Sequence, residues 1–300
     1  MTSVVKGGFG PPSATAANTG TEFINILAPP QAALDGYDNS IPCSKQTITV
    51  PPTFRDAMAV REEVYGEQGI PLEAEFDEDD ARSWHWVVYA SVATSSGSPP
   101  KNLRFTTPST PAGDARRASA AAIRVPVATI RLIPPPHGPN KYLDAAKKSK
   151  TDKHPDADPP ASKSTHTSEP YVKLGRLAVL AAYRNLGLSK LLINAVFDFA
   201  RTSPDKIYRP PSPTALEIAQ IKGHKRERDI MWQGLVMIHA QADLKGMWER
   251  HGFREELVDE ATGEVVVGRE ERWVEEGIEH VAMWRRVALE PKRLSVSVEN

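Results

Sequence analysis

The stretch YVKLGRLAVLAAYRNLGLSKLLINAVFDFAR, Tyr171 to Arg201, constrains the chain more than any other. Val172 to Leu180 is apolar except at Lys173, Gly175 and Arg176, which suits a strand covered on both faces. A turn follows at Arg184-Asn185-Leu186-Gly187-Leu188-Ser189. Beyond it Leu188, Leu191, Leu192, Ala195, Val196 and Phe199 recur at helical spacing, the apolar stripe of a packed helix. Strand, Gly-bearing turn and helix start make a place for an anion, because the first helical turn has unpaired N–H groups and a partial positive charge. Gly187 lets the backbone approach a ligand, and Ser189 and Lys190 add a hydroxyl and a cation. Taken alone, the stretch is compatible with a pyrophosphate site and with a purely structural turn. It lacks the GK[ST] ending of a P-loop and the three glycines of a dinucleotide fingerprint, which argues against nucleoside triphosphates and NAD.

Further along, Leu235 to Ala240 reads as another buried strand, and Asp243 to His251 as a short helix stopped by Gly252. Here RNLGLS after an apolar strand resembles the acetyl-CoA pyrophosphate loop of the GNAT N-acetyltransferases, usually Q/R-x-x-G-x-G/A. MWERHGF is similar to that superfamily's later helix, usually ending Y-E-K-x-G-F. VREEVYGEQGIPLEAEFD, GRLAV, AQADLKGMWERHGF and EEGIEHVAM, in that order, resemble the ElaA-like branch most. The resemblance spans about Phe54 to Arg286, with large gaps. It departs from the pattern twice: Ser189 stands where Gly or Ala is usual, and Trp248 where many members have Tyr.

Composition narrows the function classes. The formal net charge of −1 gives no footprint for nucleic acid or a membrane surface. Cys43 is the single cysteine, which excludes an intramolecular disulfide framework and fits a reducing compartment. It reads as an inert thiol. No stretch approaches the ~20 apolar residues of a membrane span, and residues 1–20 lack the pattern of a secretory signal. These features predict a cytoplasmic or nuclear protein. The 26 prolines cluster with Ser, Thr, Lys and Gly, so the chain reads as a flexible segment 1–20 and one domain over 21–290. Polar insertions at about 94–119, 134–170 and 203–234 interrupt that domain, and 291–300 forms a tail.

Phe23 to Leu27 and Thr47 to Val50 suggest short strands. Thr53 with Asp56 forms a capping-box pattern before a helix whose inner side carries Phe54, Ala57, Met58, Arg61, Val64 and Tyr65. The acidic run Glu73, Glu75, Asp77, Glu78, Asp79, Asp80 reads either as a solvated loop or as an acidic lip drawing in cationic amines. Trp84 to Val92 and Ile123 to Ile133 look like consecutive antiparallel strands, with a start or bulge at Pro126. The patch Lys222 to Arg228 reads as a solvated helix face. The last strand is Ile278 to Val287. Strands alternating with helices before a terminal strand pair predict α/β (α+β), a mixed, strongly twisted sheet flanked by helices.

The resemblance implies the GNAT fold and acetyl transfer from acetyl-CoA to a primary amine. The turn of Arg184, Asn185, Leu186, Gly187, Leu188, Ser189 and Lys190 would hold the pyrophosphate. The backbone of Leu177 and Val179 would pair the pantetheine if that edge splays from its neighbour near Met237 to Gln241. One N–H, of Leu177 or Ala178, would stabilise the thioester oxygen. Trp248 either packs its helix or borders the sulfur end, and its indole N–H cannot deliver a proton to the leaving thiolate. For a base the residues are Glu67, His239 and His280: His280 and Glu67 face the implied acceptor pocket, and His239 lies mid-strand as a core histidine. The spacing of the histidines predicts no metal site. The expected function is a direct ternary-complex N-acetyltransferase acting on a small amine such as an amino sugar or polyamine, without nucleic-acid or membrane partners and leaving a homo-oligomer open. A protein lysine or N-terminal acetyltransferase, and a non-catalytic acyl-CoA-binding module, are the alternatives.

Overall fold

The computed structural model describes residues 23–93, 122–138, 140, 142, 169–208, 212, 214 and 231–290. The expected flexible start, the tail, the insertion at 94–119 and most of those at 134–170 and 203–234 lie outside them, as does the patch 222–228. The described strands are β1 (Ile24–Leu27), β2 (Trp84–Ala93), β3 (Ala122–Ile133), β4 (Val172–Val179), β5 (Leu235–Gln241), β6 (Leu257–Val258), β7 (Val265–Val267), β8 (Trp273–Glu275) and β9 (Ile278–Arg286). The helices are α1 (Pro52–Gly66), α2 (Leu188–Thr202), α3 (Pro204–Ile207) and α4 (Lys245–Arg250). Seven strands form one sheet in the order β1-β2-β3-β4-β5-β9-β8, and β6 pairs with β7 separately. Within the large sheet only β4 and β5 run parallel.

Two expectations change. Thr47 to Val50 is not a strand among the described elements, and Val50 instead packs with Leu34, Cys43, Phe54 and Met58. Helix α1 starts at Pro52 with no side-chain cap. Proline at the first helical position has no N–H to leave unsatisfied, and Asp56 accepts a hydrogen bond from the Tyr89 hydroxyl at 2.7 Å rather than closing a capping box.

The sheet separates two unlike faces. On one, α2 covers Val172 and Leu174 of β4 and Val236, Ile238 and Ala240 of β5, together with Leu192, Ile193, Val196 and Phe253. On the other lies α1, whose inner side is buried over Phe54, Ala57, Met58, Arg61, Val64 and Tyr65. Pro126 does mark a bulge, since Val88 faces Ala128 while Tyr89 faces Pro126. A proline supplies no ladder N–H, so the irregularity falls there.

A second bulge shapes the middle of the molecule. Along β4 the register with β3 slips between Thr129/Ala178 and Arg131/Gly175, and Arg176 takes a left-handed φ of 53°. One extra residue reverses the alternation of side chains. Before it, Val172 and Leu174 face α2. After it, Leu177 and Val179 join that core, and Ala178 packs on Val60, Val64 and Tyr65 of α1.

Candidate active site

Beside that bulge, β4 and β5 part company. They pair only at Val172/Val236, Lys173/Met237 and Leu174/Ile238, so among the described residues the upper half of β4 has no strand neighbour on its β5 side. The Leu180 N–H reaches Val127 O of β3 at 3.0 Å. Alternation of a β ladder then turns the N–H of Ala178 toward Thr129 and those of Leu177 and Val179 into the gap. Ala178 is thereby removed from the expected donors, its amide facing β3 and its methyl facing α1. Leu177 and Val179 remain.

The gap leads to the turn. Arg184, Asn185, Leu186 and Gly187 are exposed, and Asn185 and Gly187 both have left-handed φ, 64° and 80°. The backbone folds back sharply there and aims the start of α2 at the end of β4. Leu191 N–H closes the first α2 bond on Gly187 O at 3.0 Å, so the N–H groups of Leu188, Ser189 and Lys190 precede the helical ladder. A Cβ on Gly187 would meet nothing within 4 Å, which leaves room over the turn. Arg184 donates to Val179 O at 3.1 Å and to Glu67 at 3.2 Å. Glu67 therefore sits beside this turn, in a solvent-exposed ion pair, rather than facing the acceptor side as expected. Next to it, Gln68 accepts a 2.8 Å hydrogen bond from Gln241 at the end of β5.

A strand that splays from its neighbour and a glycine turn opening onto a helix are what the resemblance implied; the structure adds that the neighbour is parallel and that Gly187 is left-handed. The architecture is GNAT-like. No family model matches the chain, and no curated protein matches it. Among solved structures, the chain is similar to an acyl-CoA N-acyltransferase of Pseudomonas aeruginosa, at 17% identity over 77% of this chain and 89% of that one, TM-score 0.33. It is similar to ElaA of Escherichia coli at 15% identity over 88% and 98%, TM-score 0.35. Tetrahymena GCN5 is similar at 10% identity over 79% and 90%, TM-score 0.33. At such scores these likenesses add nothing to what the chain's own topology carries.

Trp248 of α4 is buried, 6% exposed, within the α2-side core. Its ring packs edge-on against Phe253 at 5.3 Å. It fills the hydrophobic side of the GNAT-like sheet, an apolar role that a Tyr hydroxyl would have to satisfy with a partner. A different hydroxyl reaches the bulge: Tyr65 of α1 donates to Leu177 O at 3.3 Å. Burial raises the Tyr65 pKa, so it stays a donor at neutral pH.

His280 lies on β9 opposite Gln241 of β5. Counted up from the Lys173/Met237 pair, Gln241 is level with Leu177 to within the one bulged residue, which sets His280 one strand beyond the gap, at about the height of the bulge. Its Nδ1–H donates to Ile278 O at 2.9 Å, leaving Nε2 with the lone pair in the neutral ring. Its ring stacks on Trp273 at 6.0 Å. His239, on the same face, accepts at Nδ1 from Lys173 Nζ at 3.0 Å and meets Trp273 edge-on at 4.5 Å.

The acidic run is solvated only in part: Glu73 and Glu78 are exposed. Glu75 and Asp80 are buried, and the run is tied to arginines from three elements. Arg61 of α1 holds Asp80 at 2.8 and 3.1 Å and also donates to Glu75 O. Arg131 of β3 forks onto Asp77 at 2.7 and 2.5 Å and reaches Asp80 at 2.7 Å. Arg176, projected by the bulge, donates to Ala74 O at 2.8 Å and to Asp77 at 3.0 Å. Burial alone would raise the Asp77 carboxyl, but Arg131 and Arg176 overcome it and hold it well below the usual range. The same balance, with Arg131 and Arg61, lowers Asp80. Glu75 goes the other way: burial dominates and raises it. Nothing in the sequence singles out Arg131 or Tyr65 for this cluster; Lys173 and Arg176 are marked by interrupting, with Gly175, an otherwise apolar strand.

Proposed function

We propose that the chain is an acetyl-CoA-dependent N-acetyltransferase that acts on a primary amine by direct attack. The observation carrying this reading is the unpaired upper half of β4, opening onto the start of α2. An extended ligand with amides along it and a diphosphate at its end matches that surface: the amides pair with Leu177 and Val179 as a missing strand would, and the phosphates meet Arg184, the Gly187 turn and the N–H groups of Leu188 to Lys190. The amine nitrogen attacks the thioester carbon. The oxygen takes up negative charge against the Leu177 N–H, the carbon–sulfur bond breaks, and coenzyme A leaves as a thiolate of low enough basicity to need little help. His280 Nε2 takes the proton that the amine sheds. Glu67 has no part in the proton transfer, being engaged with Arg184 in solvent.

The test is an acetyl-CoA turnover screen over amino sugars, polyamines, amino acids and peptides, run on the wild type and on His280→Ala. Turnover with kcat/KM rising with pH, and a loss of the rising limb with a roughly 10²–10⁴-fold slower rate in the variant, supports the reading. Acetyl-CoA binding without any turnover would leave the binding-module alternative standing.

A further inference from the structure

We infer that the amine acceptor also carries a carboxylate, and that Lys173 and the Nε–H of Arg131 receive it on the α1 side of Gly175. The inference rests on the acyl transfer proposed above, since it concerns the other half of that site. Two donors on this face have no acceptor among the described residues, and a third, Lys173, has no anionic partner. Lys173 has one polar partner among the described residues, the imidazole of His239, and no carboxylate within ion-pair distance. Arg131 Nε and Arg176 Nε are buried and unpaired, although the ends of both guanidinium groups are occupied by Asp77, Asp80 or Ala74 O. A buried donor left unmade costs free energy, and one of these donors, Arg131 Nε, borders an open place on the strand. A Cβ built on Gly175 would find only Arg131 Nε within 4 Å, at 3.9 Å, so the missing side chain leaves a space with that N–H at its wall. Lys173, two residues down the strand and pointing the same way, supplies a cation at its edge.

The location fixes the kind of acceptor. Gly175 is two residues below Leu177, less than the ~7 Å of a regular strand because the bulge falls between them, so an acid held there and an amine at the thioester belong to one small molecule of amino-acid size. Amino sugars and polyamines lack such an acid. The electrostatics agree. Burial pushes the Lys173 ammonium down to about 8, and Arg131 adds to this, while Glu275, Asp79 and Asp77 oppose it from further off. His137, on the far side, is itself lowered to about 4, by burial first and then by Arg82 and Lys173, and is neutral at pH 7. A carboxylate arriving at Lys173 favours its protonated form, so acceptor binding is strongest below about pH 8 and weakens as pH rises through the lysine's pKa.

The experiment pairs amino acids with their own amides as acceptors, in kcat/KM and in thermal shift on the acetyl-CoA-loaded protein. The wild type is expected to favour the acid roughly 10–100-fold, the range for a hydrogen bond to a charged group. Lys173→Met and Gly175→Ala should each collapse the acid-to-amide ratio toward one, the effect falling on KM. Gly175→Ala adds only a methyl at ordinary contact distance and so keeps the test alive if Lys173→Met does not fold. Equal use of acids and amides by the wild type, or a ratio unchanged in both variants, overturns the inference even where acetyl transfer itself is found. If no amine is turned over, the acyltransfer reading fails, and the thermal shift alone decides: stabilisation by the amino acid but not by its amide upholds the carboxylate site, and equal or no stabilisation removes it.

Discussion

The two faces of β4 differ as sharply as any two regions of this molecule. Toward α2, Val172 and Leu174 enter a core of aliphatic and aromatic side chains. Toward α1, Lys173 and the bulge at Arg176 join a layer of three arginines and three carboxylates, with Arg61 and Asp80 fully buried. An apolar face is held by area and shape, and it tolerates exchanges of similar volume. A charged face is held by partnership, and removing one member strands the others. The α2 side therefore supports the sheet, whereas the α1 side fixes the position of named groups around the open half of β4.

The largest break in that contrast is Asp80→Asn, which leaves Arg61 and Arg131 facing a neutral amide. It should cost about 3–5 kcal/mol in chemical denaturation, as loss of one partner of a buried pair does. The acid limb checks the cause. The folded pKa of Asp80 and Asp77 is depressed, so their contribution is complete above the unfolded value of about 4 and drains away as pH falls below it. The variant should lose part of that acid dependence.

Leu192→Ala on the opposite face should cost about 2–5 kcal/mol by opening a cavity under α2. Acetyl-CoA binding by the molecules that remain folded should be unchanged. If this substitution abolished cofactor binding at temperatures where the protein is folded, the division of labour between the faces would be wrong.

Gly187→Asp probes the turn rather than either face. Asp tolerates a left-handed φ better than most residues, and nothing crowds a Cβ there, so the fold should survive. Wild-type protein at a hundredfold excess of acetyl-CoA over Kd gains about 2.7 kcal/mol by ligand linkage. The variant, with a negative charge where phosphate is expected, should gain none, and an undiminished shift in Tm would put the cofactor elsewhere.

The smallest expected effect belongs to Glu67→Gln. Its ion pair with Arg184 is half exposed on both sides and is worth at most about 1 kcal/mol. Stability should move by less than that, while acetyl-CoA affinity should rise a few-fold, since Arg184 no longer has a competing anion. A loss of turnover at unchanged affinity would restore Glu67 as a base.

What could be read beforehand was local. Helix α2, the glycine turn ahead of it and the strand before that follow from periodicity and turn chemistry over thirty-one consecutive residues, Tyr171 to Arg201. The bulge at Pro126 followed from a missing N–H. The partners of the acidic run could not be read, because Asp77 finds Arg131 and Arg176 across 54 and 99 residues. An acidic string and its counter-charges look alike whether solvated or buried until the sheet brings them together. Lys173 was visible only as an interruption in an apolar run, and His239 only as a mid-strand histidine. Their 3.0 Å contact depends on the parallel pairing of β4 with β5. The packing of Trp248 likewise depends on Phe253, five residues on but reached through the turn at Gly252.

The short pairing of β4 with β5 also gives the molecule a seam. Three residue pairs zip the two strands at one end, and beyond them Gln241 at the end of β5 bonds not to β4 but to Gln68, just after α1. Val172 and Leu174 are locked in a continuous ladder, whereas the amides of Leu177 and Val179 point into the gap beside β5. In deuterated water the latter pair should exchange orders of magnitude faster. A ligand lying in the gap would slow them selectively, completing the sheet with atoms that are not part of the chain.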